Sequence, residues 1–384
     1  MRVERRALTR LFAVFVAVCG LLCLSTPAFR AAEPLPAQIS DDRFWKMVTE
    51  MSEPDGYFQF ENFLSNELGY QYVIPRLRQK TQPGGVYIGV APEQNFTYIA
   101  ALKPKIAFIV DIRRQNMIEL LMYKALFEMS ETRADFLSKL FARRRPQGLS
   151  DKSTASDLFT AFSRVKSDDE LYNRNLQAMK DLLVKTHKFE LRASDLAAPS
   201  GRTSIDYVYS TFVQAGPDLD YSTGGVGAGL GNPSYADLME IDDGTGQTHS
   251  YLATEENYRF LRDLEKKNLI IPLVGDFAGP KTIRSVGQYV REHDATVSAF
   301  YLSNVEQYLF NEFRSDAFYK NVATMPLDAS STFIRAFSGP GGPVGTGGGS
   351  GFRFVSALSS MTELIREFNA GRIVQYGDVR NLSR

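Results

Sequence analysis

Between Val86 and Asp111 the chain changes its hydrophobic period twice. Val86-Tyr87-Ile88-Gly89-Val90 is a short apolar run rich in β-branched and aromatic residues, which reads as a buried strand. Ala91-Pro92 breaks it, a helical stretch runs to Leu102, Lys103-Pro104-Lys105 stops that helix, and Ile106–Val110 is a second apolar run ending on Asp111. Strand, crossover helix and strand make one βαβ unit. The alternation returns late in the chain. A helix from about Glu255 to Lys267 leads into the apolar run Leu269–Val274, the loop 275–282 opens a helix to about Glu292, and a strand at 296–302 is followed by a helix at 305–313 with Ser303-Asn304 as its cap. Two such units predict an α/β protein with a doubly wound, mostly parallel sheet.

The remaining pattern divides the chain around these units. Residues 29–83 read as an N-terminal helical region, in which Asp41 and Asp42 cap a helix with Phe44, Trp45, Met47 and Val48 on its apolar side. Phe60, Phe63, Leu64 and Leu68 continue that spacing toward Lys80. Residues 84–148 form the first half of the core, with helices at about 114–127 and 131–141, and 255–337 form the second half. Between them, 149–254 read as a largely helical insertion, with helices at 154–163 and 168–187 before the pattern turns irregular. A Gly/Pro-rich loop at 338–351 precedes a C-terminal segment, 352–384, expected to hold a helix at about 358–369 and a strand at Ile373–Tyr376 that returns to the sheet edge.

The first residues differ from the rest. Arg2, Arg5, Arg6 and Arg10 precede an apolar run from Leu11 to Leu24 and then Ser25-Thr26-Pro27-Ala28, the three-part pattern of a secretory signal spanning 1–28. The run is short for a membrane span, so cleavage and no stable membrane insertion afterwards are expected, with retention as an anchor the competing reading. Both cysteines, Cys19 and Cys23, lie inside this leader, so the mature chain carries no thiol; that suits a bacterial periplasm or cell envelope. Removing 1–28 takes four Arg and one Glu from 44 basic and 44 acidic residues, leaving 40 against 43, a surface that does not favour nucleic acid.

Candidate chemistry gathers at the first βαβ unit. Its loop lies at the carboxyl end of a parallel strand, where open sheets place ligands, and Asp111 follows Gly89 at close to the offset of a carboxylate that binds ribose hydroxyls. Gly89 and Ala91 let backbone approach a ligand. Glu93 and Asn95 either cap the following helix or bond that ligand. Arg113 either orients an anion or pairs with an acid such as Glu93. The run Gly275–Thr282 approaches a phosphate-binding loop but has Pro280 where a glycine is required. Glu240, Asp242, Asp243 and His249 lack metal-loop spacing, and His187, His249 and His293 read as surface or helix-end residues.

The blocks GVAPEQNFTYIA, AFIVDIRRQN and GDFAGPKTIR resemble a largely uncharacterised family of exported bacterial proteins. The core of that family is similar to class I S-adenosylmethionine-dependent methyltransferases, a Rossmann-like fold. The resemblance implies that Gly89 and Ala91 match the glycine-rich first motif, Asp111 the acid that holds the cofactor ribose, and Asp276 a substrate-facing acid. One of the usual glycines remains in the first motif, and the late loop reads Asp-Phe-Ala-Gly in place of Asn/Asp-Pro-Pro-Tyr. The expected cofactor-binding set is Gly89, Ala91, Glu93, Asn95, Asp111 and Asp276, with S-adenosylmethionine or another small polar ligand as occupant. A non-catalytic envelope binding or interaction protein that keeps the fold without the cofactor is the alternative, because fold does not fix function.

Overall fold

Ser40 starts the first helix of the core by accepting a hydrogen bond from the Arg43 N–H at 3.3 Å. The computed structural model describes residues 33–197, 201–221, 232–339 and 354–383. The leader with its two cysteines, the glycine-rich run 222–231 and most of the Gly/Pro-rich loop lie outside the described residues. Leu35–Arg384 is one compact unit.

The elements run α1 (Asp41–Met51), α2 (Ile74–Lys80), β1 (Val86–Val90), α3 (Gln94–Leu102), β2 (Ile106–Asp111), α4 (Arg114–Met129) and α5 (Arg133–Leu140). The insertion follows with α6 (Ala155–Ser163), α7 (Asp169–Asp181), α8 (Ala193–Leu196), α9 (Ile205–Ala215) and α10 (Tyr235–Glu240). The second half holds α11 (Glu255–Lys266), β3 (Ile270–Val274), α12 (Thr282–Glu292), β4 (Val297–Ser303), α13 (Val305–Asn311), α14 (Ser315–Val322), β5 (Thr332–Ser338), β6 (Phe354–Ser360), α15 (Met361–Asn369) and α16 (Tyr376–Asn381).

These strands make one sheet in the order β3-β2-β1-β4-β5-β6, parallel throughout except for β6, which runs antiparallel to β5. Every residue of β1, β2 and β3 is buried, as expected of a parallel sheet covered on both faces. Pro272 is accommodated because β3 pairs with β2 alone, and an edge strand can do without one N–H. That edge is then closed by the chain after α1: Ser52 Oγ accepts from the Val274 N–H at 3.0 Å, and the Glu53 N–H donates to the Val274 carbonyl at 2.8 Å. Helix α4 is buried from Gln115 to Phe127, packed between β2 and β3 on one side and α9 and α11 on the other.

Three expectations change. Residues 52–69 do not continue the helix. Pro54 and Gly56 interrupt it, the Gly56 N–H bonds to the Ile112 carbonyl at 2.8 Å, and the segment crosses the carboxyl ends of the strands as irregular chain. The sheet gains β5 and β6, which the pattern did not mark, and the expected helix at 358–369 begins only at Met361, capped by Ser360. Ile373–Gln375 is not a strand; it leads into α16, whose residue Asp378 accepts from the N–H groups of Val374 and Gln375 at 3.0 Å.

Candidate functional site

Strand order reverses between β1 and β4, and a cavity of about 340 Å³ opens over that point. Its wall draws on the carboxyl ends of all five parallel strands, through Val90 and Ala91, Asp111, Asp276, Ser303 and Ser338. The crossing segment supplies the opposite wall. Parallel sheets leave a crevice here because the crossover connections depart to opposite faces of the sheet.

The first loop holds its shape from inside. Asn95 Nδ2 donates to the carbonyls of Val90, Ala91 and Pro92 at 2.9, 2.9 and 2.7 Å, and its Oδ1 accepts from the Tyr87 hydroxyl at 2.8 Å. Gly89 is required because a Cβ there would strike the Asn95 carboxamide. Ala91 turns the chain with φ of 61°, in the left-handed region, and lines the cavity. Gly89 and Asn95 therefore build the loop, while Ala91 presents it.

Asp111 and Asp276 both reach the wall, each already engaged. The Arg113 guanidinium donates to both Asp111 oxygens, so the partner of Arg113 is Asp111, not Glu93. Asp276 pairs with Arg314 and accepts the Ala278 N–H at 2.9 Å. In the loop that approaches a phosphate-binding motif, backbone N–H groups hold an internal anion: Glu53 accepts from Asp276 at 2.9 Å, Lys281 at 2.7 Å and Thr282 at 3.2 Å.

Glu93 lies elsewhere. It is fully buried beside the phenols of Tyr70, Tyr235 and Tyr251, and no side chain among the described residues hydrogen-bonds to either oxygen. Burial pushes its carboxyl up to about 8, although the backbone N–H of Ser65 pulls it down. Glu119, one turn and a half into α4, is held well above the usual carboxylate range by burial, against the attraction of Arg113.

The cavity residue that sequence reasoning passed over is Glu67. It is 2% exposed, its Oε1 accepts from the Tyr301 hydroxyl at 2.8 Å and from the Ser303 hydroxyl, and burial pushes it up to about 7 against those two hydrogen bonds. Tyr301 in turn accepts from Gln94 Nε2 at 2.6 Å. Its signal in the sequence is a lone acid between Leu64 and Leu68 on an apolar pattern. Beside it stands an aromatic wall in which Phe58 meets Tyr308 at 5.2 Å and Phe60 at 5.6 Å, and Phe60 meets Tyr221 at 5.8 Å.

The histidines are spent on local contacts: His187 Nε2 with Glu128 at 2.9 Å, His249 Nε2 with Asp243 at 2.7 Å, His293 Nδ1 with the Tyr289 carbonyl at 2.8 Å. Among the described residues no group of three or more His, Cys, Asp or Glu is placed to hold a metal ion, and no helix is long and apolar enough to cross a membrane.

No curated protein matches the sequence. A family model does match it, over residues 62–194 and 233–362, and those two stretches contain β1 to β6, Glu67, Asp111 and Asp276 while omitting α9 and the run around Tyr221. The chain thus belongs to the family described as Domain of unknown function (DUF7790).

Proposed function

We propose that the protein binds a small polar ligand of nucleoside type over the carboxyl ends of β1, β2 and β4, and that methyl transfer from S-adenosylmethionine is the reaction to test there. One observation carries this reading: the cavity lies at the reversal of strand order, with Asp111 and Asp276 in its wall. The order 3-2-1-4-5 supports a Rossmann-like, methyltransferase-like sheet, and the cavity volume is in the range of small-molecule sites. Titrating the purified protein with S-adenosylmethionine and with its demethylated product in a calorimeter tests the reading. Binding in the micromolar range supports it, and no heat at millimolar ligand with the protein folded removes it.

A second reading keeps the ligand and drops the chemistry. Both Asp111 oxygens are held by Arg113 and the Asn95 carboxamide is spent on its own loop, which favours a binding or envelope-interaction protein without the cofactor. Export suits this reading, since the cofactor is made in the cytoplasm. A shortened N-terminus in a periplasmic fraction is the expected outcome, and full-length chain in the cytoplasm would remove the export proposal.

A further inference from the structure

The cavity offers a ligand one-sided chemistry. Among the described residues its wall carries Glu67, Asp111, Asp276 and Glu312 against a single cation, Arg314. Arg314 is paired with Asp276 and Glu312, and Asp111 with Arg113, so Glu67 is the wall acid without a cationic partner among the described residues. Its Oε2 is buried and meets no donor among the described residues. Two neighbours in the wall repeat the pattern: Gln94 Oε1 and Asn62 Oδ1 are buried acceptors without a donor among the described residues. For Gln94 the chain of bonds fixes the orientation. Tyr301 gives its single proton to Glu67, so it must accept from Gln94, and that requires the amide nitrogen to face Tyr301 and leaves the oxygen over.

Buried acceptors without donors are uncommon, and each destabilises the fold unless something supplies a proton. Three of them in one wall, one belonging to the unpaired acid Glu67, beside the rings of Phe58, Phe60, Tyr221 and Tyr308, select among ligands. A quaternary ammonium group satisfies the rings and the charge but donates nothing. A neutral alcohol donates but brings no charge. A primary ammonium supplies three N–H donors and one positive charge. Resting on the reading of this cavity as the ligand site, we propose that it takes a small molecule by its protonated primary amine, held at Glu67 with the body of the ligand against the Phe58–Tyr308 wall.

Proton linkage follows. An ammonium at Glu67 favours the ionised carboxylate, so binding releases a proton where Glu67 is still protonated, and affinity rises with pH through the region of 7. The titratable groups that feel Glu67 are phenols: Tyr87 on β1, Tyr98 on α3, Tyr301 on β4, Tyr221, and Tyr376 at the start of α16. Burial holds all five above their ordinary range, so they stay neutral across that window.

The test is calorimetry of the full chain with 2-phenylethylamine, with 2-phenylethanol and with the N,N,N-trimethylated amine. The primary amine is expected to bind at least tenfold tighter than either control and several-fold tighter at pH 8 than at pH 6. Glu67→Gln keeps the acceptor for Tyr301 and Ser303 and is expected to weaken the amine at least tenfold. Tyr308→Leu, outside that hydrogen-bond chain, is expected to weaken it several-fold. Equal affinity for amine and alcohol, a flat pH profile, no binding of the amine, or an unchanged Glu67→Gln overturns the proposal. S-adenosylmethionine that binds with no dependence on Glu67 overturns the amine assignment and leaves the nucleoside reading standing. The amine bound through Glu67 without any heat from S-adenosylmethionine does the reverse.

Discussion

Arg113 clasps Asp111 at two points, Nε to Oδ1 at 3.1 Å and Nη2 to Oδ2 at 3.2 Å, and its backbone N–H adds a third bond to Oδ1 at 2.9 Å. The same guanidinium reaches across to the crossing segment, where Nη1 donates to the carbonyls of Phe60 at 3.1 Å and of Glu61, under the ring of Phe58. The end of β2 is thereby tied to the aromatic wall. Arg113 organises the cavity; its donors are used before any anion arrives.

The consequence for stability is direct. Both side chains are buried, so Arg113→Leu leaves the Asp111 carboxylate without its counter-charge and is expected to cost about 3–5 kcal/mol in urea unfolding. Arg113→Lys, which keeps the charge but not the fork, is expected to fall between. A loss under about 1 kcal/mol for Arg113→Leu would mean that the clasp holds nothing in place.

Asn95 gives a second handle on the same crevice. Asn95→Ala removes the donors to the carbonyls of Val90, Ala91 and Pro92 and the acceptor for Tyr87, all buried, with an expected cost of about 2–4 kcal/mol. Gly89→Ala drives a methyl group into the same carboxamide and is expected to destabilise to a similar degree. Thermal unfolding of both variants checks the pair. If Gly89→Ala is neutral, the close approach of Asn95 to the strand is not what keeps residue 89 a glycine.

The two βαβ units were legible because their signal is local. Val86–Val90 and Ile106–Asp111 pair in parallel as the apolar runs suggested, with Val86 opposite Ile106 and Val90 opposite Val110. β5 escaped because Arg335 stands at its centre, and only Glu306, 29 residues earlier, explains how a charge sits in a buried strand. The crossing segment was misread for a related reason. Phe60, Phe63, Leu64 and Leu68 do mark a buried stretch, but what buries them is the end of the sheet, and the irregular path follows from bonds to Ile112 and Val274 that spacing cannot reveal. Glu67 was lost with that segment. Asp111 was found, yet its partner two residues away was not, because side-chain direction at a strand end depends on the turn that follows.

Buried carboxyls make the fold sensitive to alkali. Glu67 is pushed up to about 7, and Glu93 and Glu265 to about 8, in each case by burial. In the unfolded chain each ionises near pH 4.5, so between that pH and the folded value the native state binds the extra proton. Stability then falls as pH rises, by about 1.4 kcal/mol per pH unit for each such group, and levels off above the folded value. The unfolding midpoint in urea is therefore expected to drop between pH 5 and 8. Glu93→Gln, uncharged throughout, is expected to flatten part of that slope. A midpoint that climbs from pH 5 to 8 would show that these carboxyls are ionised in the native state.

The far side of the sheet rests on a buried ion pair. Arg335 on β5 donates to both oxygens of Glu306 on α13, through Nε and through Nη2 at 3.0 Å, and stacks over Phe333 at 4.3 Å; the Tyr319 hydroxyl donates to Glu306 at 2.8 Å, and Ser359 on β6 takes the remaining arm. Both charged side chains are almost fully buried, so desolvation and attraction nearly balance while the pair is intact. Breaking it exposes the imbalance. Arg335→Met is expected to destabilise by about 3–5 kcal/mol and to loosen β6 first, read as faster amide exchange across Phe354–Ser360 than in β1. The double variant Arg335→Met with Glu306→Leu removes both charges and is expected to recover much of that loss, since apolar groups of similar size fill such sites well. If the double variant is as unstable as the sum of the two single ones, the pair contributes no coupling, and the hydrogen bonds to Tyr319 and Ser359 are what hold β5 in place.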